Sequence, residues 1–402
     1  VHKDPSTTDV ADAVASGSVT GPPFGVTFVD APAAVSAALT RVDADVVGVD
    51  VERADAHLYY RRAALIQIGV EGHCVLLDAV SIEAFPDVDD FFGPDRIAVL
   101  HAIENDLEPL AGRGVHADRV ADTAVAAAVL GLPIGLGPLL HEVLGIELDG
   151  DKNAFQRADW EQRPLGPGMA NYAAGDVVHL PRLWRAMEER LDAAGRAAWY
   201  DQEVAATIEQ AGENRRDWTR VKGAGRLSGG QRAVLRALWD AREEIAQDHD
   251  IAPNRLIHDD VLRDLATTPP ATEAQLVRRS QRRRSLLRRH AEPLMAAITA
   301  ATEGPPETRD GDGRRWTDTD RRAYDALRKR RAQIAKDIGV DSGVLCPSRP
   351  LWTAVVGQPQ DAAALCDLAG LRPWQAELLA APMWDTYLEV LEDAEPPEEP
   401  DI

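Results

Sequence analysis

Cysteine is nearly absent. The 402 residues contain three, Cys74, Cys346 and Cys366, and no two form a CxxC pair. That argues against a cysteine-based zinc site or a disulfide framework and leads to the expectation of a reducing, cytoplasmic setting. Long apolar runs are absent as well. The longest uncharged stretch, Thr123 to Leu140, is broken by Pro133, Pro138 and three glycines. It reads as a short helix, a turn and a second helix start, not as a membrane span. No signal-peptide pattern follows Val1. Positive charge is in deficit: 44 Lys and Arg face 66 Asp and Glu, for a net charge of −22. Taken whole, that is the wrong sign for a partner of nucleic acid. The deficit is uneven, however. Residues 215–302 hold 17 basic against 11 acidic residues, a net of +6. A basic module inside an acidic chain points to one region that meets a polyanion.

What is present divides the chain. Residues 1–23 are small, polar and proline-bearing and read as a flexible tail. From Val26 to about Gly212, apolar strands come first and then alternate with helices. The first are Val26–Val29 and Val46–Glu52, with Ala64–Val70 and Cys74–Asp78 paired as a hairpin. This order specifies an α/β domain on a mixed sheet, over 24–212. The second half has no convincing strand but repeats itself at an offset of about 89 positions. Leu238, Arg242, Ile245, Ala246, Asp248 and Leu256 recur as Leu327, Arg331, Ile334, Ala335, Asp337 and Leu345. The spacing is helical, so two small all-α domains are expected over 223–304 and 315–394, followed by an acidic, disordered tail over 395–402.

The stretch Val46-Val47-Gly48-Val49-Asp50-Val51-Glu52 organises the first half. Valine packs well on a pleated sheet, and residues i and i+2 of a strand share a face, so Asp50 and Glu52 point the same way. Two carboxylates on one face of a core strand repel and lose hydration; a hard divalent cation relieves both costs. The alternative is an edge strand whose outer face meets water. Asp106 follows a strand and opens a helix, where it either caps or reaches into a cleft. Tyr172 and Asp176 stand at i and i+4, on one helix face.

In this order, a strand-borne DxE, a strand-to-helix Asp and a late helical YxxxD resemble the motifs of the DEDD exonucleases in their tyrosine variant. The chain resembles the ribonuclease D family in particular. Ala64-Leu65-Ile66-Gln67-Ile68, Asp122-Thr123, Lys152, Asp159-Trp160 and Arg163-Pro164-Leu165 are similar to that family's sequence between its motifs. The helical repeats are similar to HRDC domains, the second more divergent than the first. The resemblance implies a ribonuclease H-like fold followed by two HRDC-type modules. It implies hydrolysis of single-stranded RNA from the 3′ end to nucleoside 5′-monophosphates, with tRNA precursors as the expected substrate. It also implies two divalent cations, Mg²⁺ or Mn²⁺. Asp50 would bridge them, Glu52 and Asp176 would complete one site, Asp106 would support the other, and Tyr172 would orient the attacking water. The histidine variant is excluded, because the position five residues before Asp176 is Asn171.

Other candidates carry two readings each. Gln67 either contacts the 3′ nucleotide or satisfies backbone groups. His101 either bonds near the site or is a core histidine. Trp160 and Arg163 either touch the substrate strand or pack a loop. Arg282, Arg283 and Arg284, in the densest basic segment, either bind phosphates or form a solvated helix face. A DNA 3′–5′ exonuclease on the same fold and a non-catalytic RNA-binding adaptor are the rival functions. The second is disfavoured because all four acidic residues and Tyr172 are present.

Overall fold

The computed structural model describes residues 7–9, 24–54, 57–148, 155, 158–211, 217–280, 283–308 and 316–393. Among these, seven strands form one mixed sheet: β1 (Thr7–Asp9), β2 (Gly25–Val29), β3 (Val46–Arg53), β4 (Ala63–Val70), β5 (His73–Asp78), β6 (Ile97–Leu100) and β7 (Arg119–Asp122), in the order β1-β2-β5-β4-β3-β6-β7. The β4–β5 hairpin forms as expected, while β3 pairs antiparallel with β4 and parallel with β6. The carboxylate-bearing strand is therefore central, not an edge.

Two strands depart from the sequence reading. Thr7–Asp9 lies inside the segment read as a tail, yet it pairs antiparallel with β2 along the sheet edge. Backbone pairing at an edge needs no apolar alternation, which is why composition hid it. Arg119–Asp122 lies in a stretch where the sequence shows no strand pattern, and it pairs parallel with β6. Its two apolar residues, Val120 and Ala121, are too few to carry a period.

The alternation of β3 divides the core. Val47, Val49 and Val51 face one apolar layer with Val35, Phe85 and Phe92, beneath helices Val35–Leu39, Pro86–Phe91 and Leu107–Ala111. Gly48, Asp50 and Glu52 face the other layer, covered by helix Pro167–Val178. That helix opens with Pro167, whose fixed φ suits the first helical position. It presents Ala170, Ala173, Ala174 and Val177 to the sheet. The approach is close because β3 and β4 carry glycine opposite each other, Gly48 beside Gly69. A Cβ on Gly48 would lie 2.1 Å from the Val177 carbonyl oxygen, and one on Gly69 would lie 2.6 Å from Val177 Cγ2. Asp176 is the preceding residue of the helix, so the same contact brings it over β3.

The second half is helical, with separate cores around Leu235, Leu238 and Leu287 and around Leu327, Leu351 and Trp374. The repeat is physical as well as sequential. Ser228 and Gln231 form a capping box at the start of helix Gly229–Asp248, and Thr317 and Asp320 form one at the start of helix Asp318–Ile338. Buried Arg242 donates to the Ile257 carbonyl oxygen, and buried Arg331 donates to that of Cys346. Each repeat thus uses one buried guanidinium to hold the turn after its first long helix. Among the described residues no helix is long and apolar enough to cross a membrane.

Gly48→Ala tests the close approach. The added methyl group meets backbone rather than a movable side chain, and overpacking of this kind costs about 1–3 kcal/mol. The variant is expected to melt several degrees lower and to bind divalent cations more weakly, because Asp176 is pushed off β3. Unchanged melting and cation binding would refute the contact.

Candidate active site

The carboxylates expected from the sequence converge. Oxygens of Asp50, Glu52 and Asp176 all lie within 4.8 Å of one another. They open into a cleft of about 440 Å³ that is also lined by Arg53, His101, Asn105, Asp106, Gly135, Leu136 and Tyr172. The strand delivers Asp50 and Glu52 two residues apart, and a register shift after Glu52 ends the regular pairing at the cleft. One helical turn separates Tyr172 from Asp176, which sets the phenol beside the Asp176 carboxylate. The Tyr172 ring is flanked by Phe155 and Trp160, at centroid distances of 5.7 and 6.1 Å.

Asp106 reaches the cleft by another route. The chain leaves β6 through His101, Ala102 and a 3₁₀ turn, Ile103–Asn105. Ala102 occupies the left-handed region at φ 68°, a strained conformation for a residue with a Cβ. Asp122 holds it there. Its carboxylate accepts from the backbone N–H of Ala102 (3.1 Å) and Ile103 (2.8 Å). It also caps helix Thr123–Leu130 through Ala124 (2.7 Å) and Val125 (3.2 Å). Its own N–H donates to the Tyr200 hydroxyl at 2.9 Å. Asp122 has 0% exposure and Asp106 3%. The positioning duty of Asp122 was missed in the sequence, although its place just before an apolar helix marks it as an N-cap.

The crowding has an electrostatic signature. Burial, and then the charge of Asp176, push the Asp50 carboxyl up to about 7. Burial, and then Asp50 and Asp176, push Glu52 up to about 9. Burial and Asp50 also hold Asp106 well above the usual carboxylate range. The Tyr172 phenol is raised by burial and by Asp176. Such a cluster gives up its protons readily only to a competing cation, and its ligand set is oxygen alone. That fits a hard divalent ion.

The remaining candidates separate. His101 lines the cleft and shares a 2.9 Å hydrogen bond with Thr123 Oγ1; since that hydroxyl donates to the Leu100 carbonyl oxygen, Nδ1 of His101 is the donor. Trp160 and Arg163 do not line the cleft. Trp160 is buried in the core against Tyr172. Arg163 pairs with buried Asp78 and donates to the Ala64 (3.0 Å) and Trp160 (2.8 Å) carbonyl oxygens. Its hydrogen bonds, with those of Ser81 and Val80, outweigh burial and hold Asp78 below its ordinary value. Of the two readings of these residues, substrate contact and loop packing, these contacts favour packing. Gln67 is also buried and away from the cleft lining. Lys152 and Arg282 lie outside the described residues. Arg283 is exposed and precedes helix Arg284–Arg289, while Arg284 joins Arg278 and Arg288 around a second cleft of about 480 Å³.

The first helical bundle also reaches the site. Asp250 Oδ1 accepts from the backbone N–H of Tyr59 and Tyr60, both at 3.1 Å, and its carboxylate pairs with Arg62. Gln247 donates to the Tyr59 hydroxyl at 2.9 Å, and Tyr59 is buried in the bundle's core. Arg61 of the same loop donates to the Glu104 carbonyl oxygen at 3.2 Å, next to Asn105 of the cleft.

A carboxylate cleft between a central strand and a covering helix, on a mixed sheet, defines the class. Residues 26–192 match the family model for 3′-5′ exonuclease, and residues 231–298 match that for the HRDC domain. The chain is 34% identical over 241 residues to ribonuclease D of Sphingobium indicum, covering 57% of this chain and 61% of that protein. It is 31% identical to ribonuclease D of Pseudomonas paraeruginosa, covering 64% of this chain and 70% of that protein. The match thus spans less than two thirds of the first relative and somewhat more of the second. The fold resembles the crystal structure of Escherichia coli RNase D at TM-score 0.71 and 23% identity, over 90% of this chain and 98% of that one. The chain belongs to the ribonuclease D family.

The raised carboxyls set the pH response of the cation-free protein. Burial and mutual repulsion push Asp50 from its ordinary 3.8 up to about 7 and Glu52 from 4.5 up to about 9. The folded state binds the extra protons, so their stabilisation is complete below about pH 4 and is lost as pH rises through 7 and then 9. Asp50→Asn is therefore expected to melt higher than the parent at pH 8 in chelator, with the difference shrinking toward pH 5. A variant that melts below the parent across that range would overturn the repulsion.

Proposed function

We propose that this chain is a metal-dependent 3′–5′ exoribonuclease that removes nucleoside 5′-monophosphates from single-stranded 3′ ends of RNA, tRNA precursors among them. What carries the reading is the convergence of Asp50, Glu52, Asp106, Asp176 and Tyr172 in one cleft of a chain from the ribonuclease D family. Asp50, Glu52 and Asp176 would hold one divalent cation, and Asp106 with Asp50 a second, as Mg²⁺ or Mn²⁺. Cations bound there would supply an acidified water and neutralise charge on the phosphate. The protein's own part is to hold four carboxylates in place before the ions arrive, through β3, helix Pro167–Val178 and the Asp122-braced turn. Tyr172, its ring flanked by Phe155 and Trp160, would orient the attacking water.

The acidic chain as a whole repels a polyanion, so attraction for a long substrate must be local. The cleft of Arg278, Arg284 and Arg288 in the HRDC-matching region is suited to RNA phosphates, as is neighbouring Arg283. The second helical bundle is read as a divergent HRDC domain from its repeated capping box and buried arginine.

The decisive assay is digestion of 3′-end-matched oligonucleotides, ribose- or deoxyribose-ended, with and without chelator. A ladder of shortened RNA that vanishes with chelator is expected, with the DNA strand degraded far more slowly. Faster loss of the DNA strand would replace the reading with a DNA exonuclease. Tyr172→Phe is expected to lower kcat by roughly 10²–10⁴-fold at nearly constant KM, as for a group used in the transition state. An unchanged kcat would reduce Tyr172 to packing. Replacing Arg278, Arg284 and Arg288 together by Gln should flatten the log–log salt dependence of long-RNA binding by about 2, at ~0.7 per lost phosphate contact. An unaltered slope would leave these arginines as a solvated face.

A further inference from the structure

Gln67 is the polar residue of an otherwise apolar strand, Ala63–Val70, and it has 0% exposure. Among the described residues its amide oxygen and nitrogen both lack a hydrogen-bond partner. A buried amide left unpaired is among the costlier features a core can carry, and leucine or methionine would fill the same volume without that cost. Its location suggests what it answers to. In the antiparallel pairing of β3 with β4, Gln67 stands directly opposite Asp50. Residues opposite each other share a face, with Cβ atoms roughly 4.5–5.5 Å apart, within the span of a glutamine side chain. Helix Pro167–Val178 closes over that face, through Val177 on Gly48 and Gly69 and through Asp176 beside Asp50. The amide is thus enclosed behind the carboxylate cluster. It is absent from the cleft lining, so a substrate strand does not reach it.

We propose that Gln67 is a positioning residue for Asp50: its Nε2 donates to the Asp50 carboxylate when that group turns to take a cation. This rests on Asp50 being a cation ligand. A neutral donor suits the place better than a charged one. Lysine or arginine would pair with Asp50 and compete with the cation, whereas an amide fixes the carboxylate's orientation and leaves its charge for the ion. The reciprocal group is also present, since Oε1 can accept from a buried water or from a neighbouring protonated carboxyl. The amide without a partner among the described residues then has one in Asp50, and the residue's two sequence readings, nucleotide contact and backbone satisfaction, give way to a third.

The test compares Gln67→Met, of similar volume and no polar atom, with the parent and with Asp50→Asn in the full chain. Mn²⁺ binding to the metal-free proteins is followed by the electron paramagnetic resonance of free Mn²⁺, and unfolding is followed in chelator. In chelator, Gln67→Met is expected to melt at or above the parent, because an unpaired amide has been removed. Its Mn²⁺ affinity is expected to fall by about 10–100-fold, the usual effect of losing a group that orients a metal ligand. With Mn²⁺ raised to saturation, kcat should return to within a few fold of the parent. Two results would overturn the proposal: Mn²⁺ affinity equal to the parent's, or a marked drop in melting temperature in chelator, which would mean that the amide already has its partner in the fold. If the parent itself fails to bind Mn²⁺, or binds it as well as Asp50→Asn does, the cation site is wrong and the role of Gln67 falls with it. That outcome is distinct from a parent that binds and a Gln67→Met variant that binds equally.

Discussion

Mutual repulsion among four carboxylates in one half-buried cleft is the constraint to which the surrounding structure answers. Left to itself, such a cluster would protonate or splay apart. The fold prevents splaying by rigid delivery. Asp50 and Glu52 come from the centre of a sheet with strands on both sides. Asp176 comes from a helix held close by two glycines and a row of alanines. Asp106 comes from a strained turn that Asp122 holds with two backbone hydrogen bonds. The price appears as carboxyls held far above their ordinary values. A cation turns that stored repulsion into binding, so the site's instability and its chemistry have one cause.

The helical half is joined to this site, not merely appended. The loop that follows Arg53 is bonded on one side to Glu104, beside the cleft, and on the other to Asp250 and Gln247 of the first bundle. Asp250 itself lies at φ 45°, a conformation that Asp and Asn tolerate better than most residues. On another surface of the nuclease domain, Glu203 pairs with Arg372 and accepts from the Trp374 indole at 2.7 Å, while Trp199 stacks on Trp374 at 4.6 Å. Both bundles therefore dock through a carboxylate that satisfies several donors at once. Geometry at the carboxylate cleft is linked in this way to both helical bundles.

What the sequence by itself determined was whatever a local period or a repeat can carry. The two-residue spacing of Asp50 and Glu52 and the four-residue spacing of Tyr172 and Asp176 each assign two side chains to one face before any fold is known. The offset between Arg242 and Arg331 likewise announced two equivalent bundles, and each arginine does the same work in its own repeat. Only the tertiary structure decided which distant residues meet. Nothing local separates Arg163, committed to buried Asp78, from an arginine free to bind phosphate. Nothing local tells that Trp160 backs Tyr172 from the core, that Asp122 braces the turn to Asp106, or that Gln67 lies opposite Asp50 with its amide unpaired among the described residues. Hydrophobic period and motif spacing report the face on which a side chain lies. Burial, register and hydrogen-bond partnership depend on what the rest of the chain lays against that face, and they exist only once the sheet and its covering helix have closed.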